Sequence, residues 1–126
     1  MSTQEYKVTV YDDATIWHQN GKRHRLDGPA MEYVSGTKLW YKNGKLHRLD
    51  GPACHFYNGT ECWYEDGKRH RLDGPAVERA FNVKQWFIDD LELTEAEFNA
   101  RTNPIKEMTV AEIATALGHE VKVIKS

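Results

Sequence analysis

The pattern of hydrophobic and polar residues along this chain repeats at a fixed interval, which is marked by the tryptophans. The tryptophans, Trp17, Trp40, Trp63 and Trp86, lie 23 residues apart. Between them a polar string returns almost unchanged, as NGKRHRLDGPA at 20–30, NGKLHRLDGPA at 43–53 and DGKRHRLDGPA at 66–76. Self-similarity at a fixed period is the signature of a repeat architecture. The chain therefore divides into units 7–29, 30–52, 53–75 and a degenerate 76–98, the last of which is typical of a terminal repeat.

Each unit carries two turn signals between short β-prone runs. One is Asn58-Gly59 and its equivalents, and the other is Asn43-Gly44 and its equivalents. Asn-Gly and Asp-Gly favour two-residue hairpin turns, because both central residues of a type I′ turn need a positive φ. The proline of the DGPA segment then ends the strand, since it cannot donate to a sheet ladder. The sequence predicts an antiparallel β-meander of about eight strands.

Two-residue turns would also fix which side chains share a face of the sheet. Cys54 would face Trp63, and Trp63 would face His70, so these three share the more apolar face. The equivalent sets are Met31, Trp40 and His47, and Val8, Trp17 and His24. A turn longer by one residue would shift the register and exchange the two faces.

The C-terminal segment differs in kind from the repeats. Thr94 and Glu97 form a capping-box pattern, as do Thr109 and Glu112. These signals predict short helices at 95–101 and 110–117, and alternating residues around 121–123 predict a final strand. The expected fold is therefore mainly β: a repeat array over 1–98 with a C-terminal α/β cap over 99–126, in one folding domain.

Composition and charge exclude several classes of protein. The net charge is −2, and the mean hydropathy is −0.73. Binding of nucleic acid through bulk charge is therefore not expected, and no apolar run approaches the roughly 20 residues of a membrane span. The first residues lack the pattern of a signal peptide, and two cysteines are too few for a disulfide framework. We expect a cytoplasmic protein.

The repeated His-Arg-Leu-Asp run is the candidate for chemistry. Its histidines could act as general bases oriented by its aspartates. A structural role is favoured because the set occurs three times: Asp opens a turn, Arg pairs with that Asp or with the next one, and His packs on Trp. We therefore expect no catalytic residue. The run contributes His24, His47, His70, Asp27, Asp50 and Asp73, which we assign with the four tryptophans to the structural repeat.

Metal binding is not expected from the spacing. Equivalent histidines lie two strands apart, about 9.6 Å, whereas two ligands of one zinc ion need nitrogens within about 3.5 Å. The predicted register also puts Cys54 and Cys62 on opposite faces. We expect neither a metal nor a cofactor.

Basic residues cluster on equivalent strands and form the candidate binding surface. Eight of the 17 Lys and Arg are Lys22, Arg23, Arg25, Lys45, Arg48, Lys68, Arg69 and Arg71. Arginines beside tyrosines can hold a nucleotide or a single strand by stacking and phosphate contacts. The predicted stripe residues are Arg23, Tyr41, Arg48, Tyr64, Arg69 and Arg71. A small phosphate-bearing ligand is favoured over nucleic acid, and the alternative is a solvated stripe neutralised by the aspartates.

The run from Trp40 to His47, with its copies at 17–24 and 63–70, resembles the MORN repeat over residues 7 to about 90. MORN units usually place Gly after that His, where this chain has Arg25, Arg48 and Arg71. The HRxDGPA form is similar to small proteins of tailed phages and bacteria. The resemblance implies a non-catalytic scaffold that binds proteins or lipids.

Three functions follow from these observations. The leading hypothesis is a phage or bacterial interaction protein that binds a host protein and inhibits a defence system. The first alternative is a protein that sequesters a small nucleotide-like ligand on the stripe, and the second is an enzyme using one His–Asp pair. Homo-oligomers are compatible with all three.

Overall fold

The computed structural model describes residues 5–103 and 109–117, and these are mainly antiparallel β with two helices. The strands are β1 (Lys7–Val10), β2 (Ala14–Gln19), β3 (Lys22–Arg23), β4 (Met31–Tyr33), β5 (Lys38–Leu39), β6 (Tyr41–Lys42), β7 (Lys45–Leu46), β8 (Cys54–His55), β9 (Glu61–Cys62), β10 (Tyr64–Glu65), β11 (Lys68–Arg69), β12 (Val77–Arg79), β13 (Val83–Ile88) and β14 (Leu91–Leu93). The helices are α1 (Glu95–Thr102) and α2 (Val110–Leu117), and a short 3-10 turn occupies Ala80–Asn82.

The main sheet has the strand order β1-β2-β4-β5-β8-β9-β12-β13-β14, with β3 paired to β2. These strands keep their chain order, as in a meander, with the hairpins β6–β7 and β10–β11 inserted between β5 and β8 and between β9 and β12, and their pairing is antiparallel. The hairpins β6–β7 and β10–β11 pair separately. They are joined to their neighbours by backbone hydrogen bonds such as the one from the Arg48 N–H to the Tyr64 carbonyl, 3.1 Å.

The first turn of each unit determines the register, and the units differ there. In β1–β2, Val8 lies opposite Trp17 as predicted, because the Tyr11 N–H bonds the Ala14 carbonyl at 2.7 Å and closes a two-residue turn. In β8–β9, Cys54 lies opposite Cys62 rather than Trp63. Cys54 therefore does not share a face with Trp63 and His70 as predicted, whereas the pairing of Trp63 with His70 is as predicted.

A three-residue turn causes the shift. The Phe56 N–H bonds the Thr60 carbonyl at 2.9 Å, so the turn consists of residues 57–59 and ends at Gly59 with φ +87°. The same turn at 34–36, with Gly36 at φ +101°, puts Met31 opposite Leu39. For the same reason Met31 does not share the face predicted for it with Trp40 and His47. One extra residue moves the facing strand by one position.

The second turn has the predicted two-residue form. Asn43 has φ 50° and Gly44 has φ 80°, which fits a type I′ turn, and Tyr41 lies opposite Leu46. The His47 N–H bonds the Trp40 carbonyl at 3.0 Å, so Trp40 faces His47 as expected. The same turn recurs at 20–21 and 66–67. It recurs again at 89–90, where two aspartates hold the positive φ values.

The interior is built from small residues behind the tryptophans. Ala30, Ala53 and Ala76 are fully buried, and their carbonyls accept the N–H groups of Trp17, Trp40 and Trp63 at 2.7 Å. Because these alanines are fully buried, a larger side chain at any of them would have to displace its neighbours. Ala76, Val77 and Phe87 form a buried cluster against which Cys62 and Trp63 pack. The four tryptophans themselves are half-buried.

The C-terminal helices begin at the predicted caps. The Thr94 hydroxyl accepts the Glu97 N–H, and the Glu97 carboxylate accepts the Thr94 N–H, each at 3.1 Å. Helix α1 packs against β13 and β14 and buries Phe98. Helix α2 starts with the equivalent bond from the Glu112 N–H to the Thr109 hydroxyl. The strand predicted around 121–123 lies outside the described residues.

Candidate functional site

The arginine of each His-Arg-Leu-Asp run lies on the tryptophan of its own unit. The Arg48 guanidinium is 4.0 Å from the centre of the Trp40 ring, within cation–π distance. Its Nε donates to the Asp50 carboxylate at 2.9 Å, and its Nη1 donates to the Pro52 carbonyl at 3.1 Å. The same contacts join Arg25 with Trp17, Asp27 and Pro29, and Arg71 with Trp63, Asp73 and Pro75.

The glycine of the DGPA segment provides space for that arginine. A Cβ added to Gly51 would lie 2.9 Å from Arg48 Cζ, closer than real contacts allow, and Gly28 and Gly74 are equivalent. The hydrogen bond and the charge of Arg48 lower the pKa of Asp50, and Arg71 does the same to Asp73. The arginine is therefore held within its own unit by a ring, a carboxylate and a carbonyl, and Arg25 and Arg71 also lie 3.8 and 3.6 Å from carboxylates of the following unit.

The histidine of each run connects its unit to the next. The Nδ1 atoms of His24, His47 and His70 accept the backbone N–H groups of Asn43, Asp66 and Asp89 at 2.9, 3.0 and 3.0 Å. Because Nδ1 accepts, it carries no proton in this arrangement. His47 is thus bonded to the following turn, while Asp50 is bonded to Arg48. A catalytic pair of His47 with Asp50 would need both groups to exchange partners, and the carboxylate beside His47 Nδ1 is that of Asp66, at 3.4 Å.

The predicted basic stripe is divided between two surfaces. Arg48 and Arg71 line the same groove, whereas Tyr64 and Arg69 line a different cavity of about 470 Å³ beside Cys62. Arg69 stacks on Phe87 at 4.2 Å and donates to Asp90 at 2.8 Å, which lowers the pKa of Asp90 and raises that of Arg69. Burial raises the pKa of Tyr64.

The first unit contributes a looser contact of the same kind, because Arg23 lies 5.5 Å from the centre of the Tyr41 ring. Leu46 takes the position of Arg23 and Arg69 in the middle copy. The six residues proposed for the stripe are therefore not brought together in one pocket.

The leucine of the run points to solvent, and the sequence reasoning missed it. Leu26, Leu49 and Leu72 are 61%, 76% and 58% exposed. Beside them stand the exposed carboxylates of Asp27, Asp50 and Asp73. We name these three leucines the leucine row. The sequence does carry one signal for this row, since the same apolar residue occurs three times within an otherwise polar turn.

Two grooves lie between successive members of the leucine row. The first, about 730 Å³, separates residues 25–29 from 47–50 and has Trp40 and Lys42 in its wall. The second, about 490 Å³, separates residues 48–51 from 70–73 and has Trp63 and Glu65 in its wall. The grooves are equivalent in the repeat but differ in charge, since Lys42 and Glu65 occupy matching positions 23 residues apart.

The cysteines lie opposite each other, so their predicted placement on opposite faces is wrong. Both thiols are free, and burial raises the pKa of Cys54 to about 12. Over residues 5–103 and 109–117, no group of three or more His, Cys, Asp or Glu side chains is placed to hold a metal ion.

Comparisons with known proteins give no match to a family model, a curated protein or a solved structure. Among the described residues, neither helix is long and apolar enough to cross a membrane. Inference about function therefore depends on the geometry of the chain and on its repeats.

Proposed function

We propose that this chain is a non-enzymatic, MORN-like repeat protein that binds a protein partner through the leucine row and its grooves. In this proposal about four 23-residue units form the array, and the C-terminal helices cap it. The observation that carries the proposal is the threefold exposure of Leu26, Leu49 and Leu72. Apolar side chains aligned on a surface and bordered by polar groups are typical of protein interaction sites.

The rest of the repeated string supports this choice by contrast. In the middle copy, His47 accepts a hydrogen bond, Arg48 stacks and pairs, and Asp50 binds Arg48. Gly51 leaves space for Arg48, and Ala53 is buried. Each of these positions has a role within the fold, whereas Leu49 is 76% exposed. A repeated apolar residue without a packing role is best explained by contact with another molecule.

A second row of exposed side chains lies in the first turns and includes Val34 and Tyr57, which are 80% and 75% exposed. The leucine row is the better candidate because it borders concave grooves with tryptophan walls. Concave, partly apolar surfaces with a few polar groups are the usual sites of binding.

The phosphate-binding alternative ranks lower because its arginines have partners. A phosphate that binds Arg48 must compete with the Asp50 carboxylate at 2.9 Å and the Pro52 carbonyl at 3.1 Å. The enzyme alternative ranks lowest, since Asp50 is bonded to Arg48 and not to His47. The resemblance to phage and bacterial proteins adds that the partner is a host protein in the bacterial cytoplasm, bound to inhibit a defence system.

Affinity capture from a bacterial lysate tests the proposal. The variant with Leu26, Leu49 and Leu72 all changed to Ser should lose the proteins that the wild type retains. The matched control, Val34→Ser with Tyr57→Ser, removes equally exposed apolar groups elsewhere and should retain them. Exposed substitutions of this kind change stability by about 0.5 kcal/mol or less each, so the variants should fold.

Two results would count against the proposal. Capture that is unchanged by the leucine substitutions would exclude the leucine row as the binding surface. A thermal shift with nucleotides or inorganic phosphate that disappears in Arg48→Ala would favour the small-ligand alternative instead.

A further inference from the structure

The two grooves repeat at a distance that restricts what can occupy both. Trp40 follows β5 and Trp63 follows β9, and these strands are separated by β8 in the sheet. Equivalent points in the grooves are therefore two strand spacings apart, about 9.6 Å. A partner that places the same group in each groove needs a matching repeat.

Among regular backbones, the polyproline II helix has that repeat. It advances about 9.3 Å in each turn of three residues, so side chains i and i+3 point the same way. An extended strand repeats its faces at about 6.6 or 13.2 Å, and two turns of an α-helix advance about 10.8 Å. Grooves with aromatic walls are also the surfaces on which polyproline II segments dock.

Neighbouring side chains hold the two tryptophan rings in fixed positions. Arg48 stacks on Trp40 at 4.0 Å and Arg71 stacks on Trp63 at 3.9 Å, and both rings still line their grooves. Each guanidinium is fixed in turn by a carboxylate and a carbonyl, so the two rings are held in place before any ligand arrives. Binding to rings that are already ordered costs less conformational entropy than binding to mobile ones.

The two grooves differ in charge, and this difference favours one orientation of a bound segment. The outermost groups beside the leucines are carboxylates, because Asp50 and Asp73 are each 86% exposed while Arg48 and Arg71 are only 25% and 21% exposed. The first groove carries Lys42, whereas the second carries Glu65, whose Oε2 lies 3.7 Å from His70 Nε2. A basic residue of the partner is therefore favoured at the second groove.

We infer that the two grooves bind a proline-rich polyproline II segment of a partner protein, with residues i and i+3 against Trp40 and Trp63 and a basic residue beside Glu65. This inference rests on the proposed function and specifies the chemistry of the partner. The leucines of the row, Leu49 above all, would separate the two occupied grooves and contact the proline rings.

A direct titration tests the inference. The probe is a fluorescently labelled polyproline peptide of about twelve residues, or about four turns, with an arginine pair at one end. The control peptide has the same charges but contains Gly and Ser in place of Pro. The polyproline probe should bind the wild type at least about tenfold more tightly, because its backbone is already ordered.

Charge exchange then checks the direction of binding. Glu65→Lys should weaken the binding of the polyproline probe about two- to fivefold, and Lys42→Glu should strengthen it by a similar factor, as expected for surface charges. Leu49→Ser should weaken binding, and Tyr57→Ser should leave it unchanged.

Several outcomes would overturn the inference. Equal binding of the Gly–Ser probe would show that charge alone is recognised, and tighter binding of a basic helical peptide would favour a helix in the grooves. If no probe binds while lysate capture still depends on the leucine row, the polyproline inference is wrong and the protein-binding proposal stands. If capture does not depend on the leucine row, the protein-binding proposal itself fails.

Discussion

Residues 40–53 and 86–99 begin with the same hairpin and are closed by different means. Trp40 is followed by a type I′ turn at Asn43, and Trp86 by one at Asp89, with φ 50° and 47°. After the first turn the chain continues as His-Arg-Leu-Asp-Gly-Pro-Ala, and after the second as Leu-Thr-Glu-Ala-Glu-Phe-Asn. In the first region Arg48 stacks on Trp40, which we call the arginine closure. In the second region helix α1 packs on β13 and β14, which we call the helical closure.

The histidine position shows why the two endings differ. His47 accepts a hydrogen bond from the turn of the following hairpin, at Asp66. At the matching place Leu93 is buried, and the chain beyond it forms α1, which packs on β13 and β14. A polar side chain is useful where the next hairpin supplies a donor, whereas an apolar side chain is useful where a helix covers the site. The side chain at this position is therefore polar where another hairpin comes next in the chain and apolar where a helix comes next.

The largest effect is expected at the helical closure. Phe98 is 4% exposed on α1, and Phe98→Ala should lower the free energy of unfolding by about 3–5 kcal/mol, through lost burial and the cavity left behind. Chemical denaturation measures the loss. The neighbouring Asn99 is exposed, so Asn99→Ala is the control and should have little effect. A loss below about 1 kcal/mol for Phe98→Ala would mean that the packing of α1 on β13 and β14 contributes little to stability.

A smaller effect is expected at the arginine closure. Gly51→Ala should cost about 1–2 kcal/mol, because the new Cβ would lie 2.9 Å from the Arg48 guanidinium, which must then give up its stacking on Trp40 and its hydrogen bonds. In an Arg48→Ala background the same change should cost almost nothing. A double-mutant cycle by denaturation separates the two terms. Equal costs in both backgrounds would show that the glycine is needed for its backbone and not for space.

Much of this architecture could be predicted from residues that act locally. Asn43-Gly44 gave the correct turn and register, and Thr94 with Glu97 gave the correct start of α1. Asn58-Gly59 misled the prediction because the same pair suits two kinds of turn. At 43–44 both residues take a positive φ, whereas in the turn at 57–59 only Gly59 does. The turn then takes in Tyr57 from the end of the preceding strand, which no local preference shows.

The site was harder to predict because its contacts join residues that are distant in the chain. The pairing of Arg48 with Asp50 was foreseen as one of two options, since the two residues are neighbours. The stacking of Arg48 on Trp40 and the bond from the Asp66 N–H to His47 depend on how hairpins meet in space. The exposure of Leu49 depends on the same packing. Sequence periodicity identifies such positions as equivalent without showing what each one contacts.

The hydrogen bond between hairpins should have a measurable but modest value. His47→Leu removes the acceptor of the Asp66 N–H and should cost about 1 kcal/mol, the net value of one hydrogen bond. His47→Asn keeps an acceptor at a similar position and should recover part of the loss. Thermal unfolding of both variants provides the measurement. If the Leu and Asn variants are equally stable, this hydrogen bond adds nothing to the backbone bonds that already join the hairpins.

The smallest effect concerns acid. Because Arg48 and Arg71 lower the pKa of Asp50 and Asp73 in the folded protein, these carboxylates stabilise the fold above their unfolded pKa of about 3.9, and the contribution is lost as the pH falls through the lower folded pKa. The free energy of unfolding should therefore decrease between about pH 5 and pH 2. In the double variant Asp50→Asn, Asp73→Asn this decrease should be smaller than in the wild type.

Arg48→Gln should flatten the pH profile of the free energy of unfolding by as much as Asp50→Asn does. Combining the two changes should add nothing, since both remove the same ion pair. Parallel profiles for the wild type and all variants would show that the arginines close their hairpins by stacking alone.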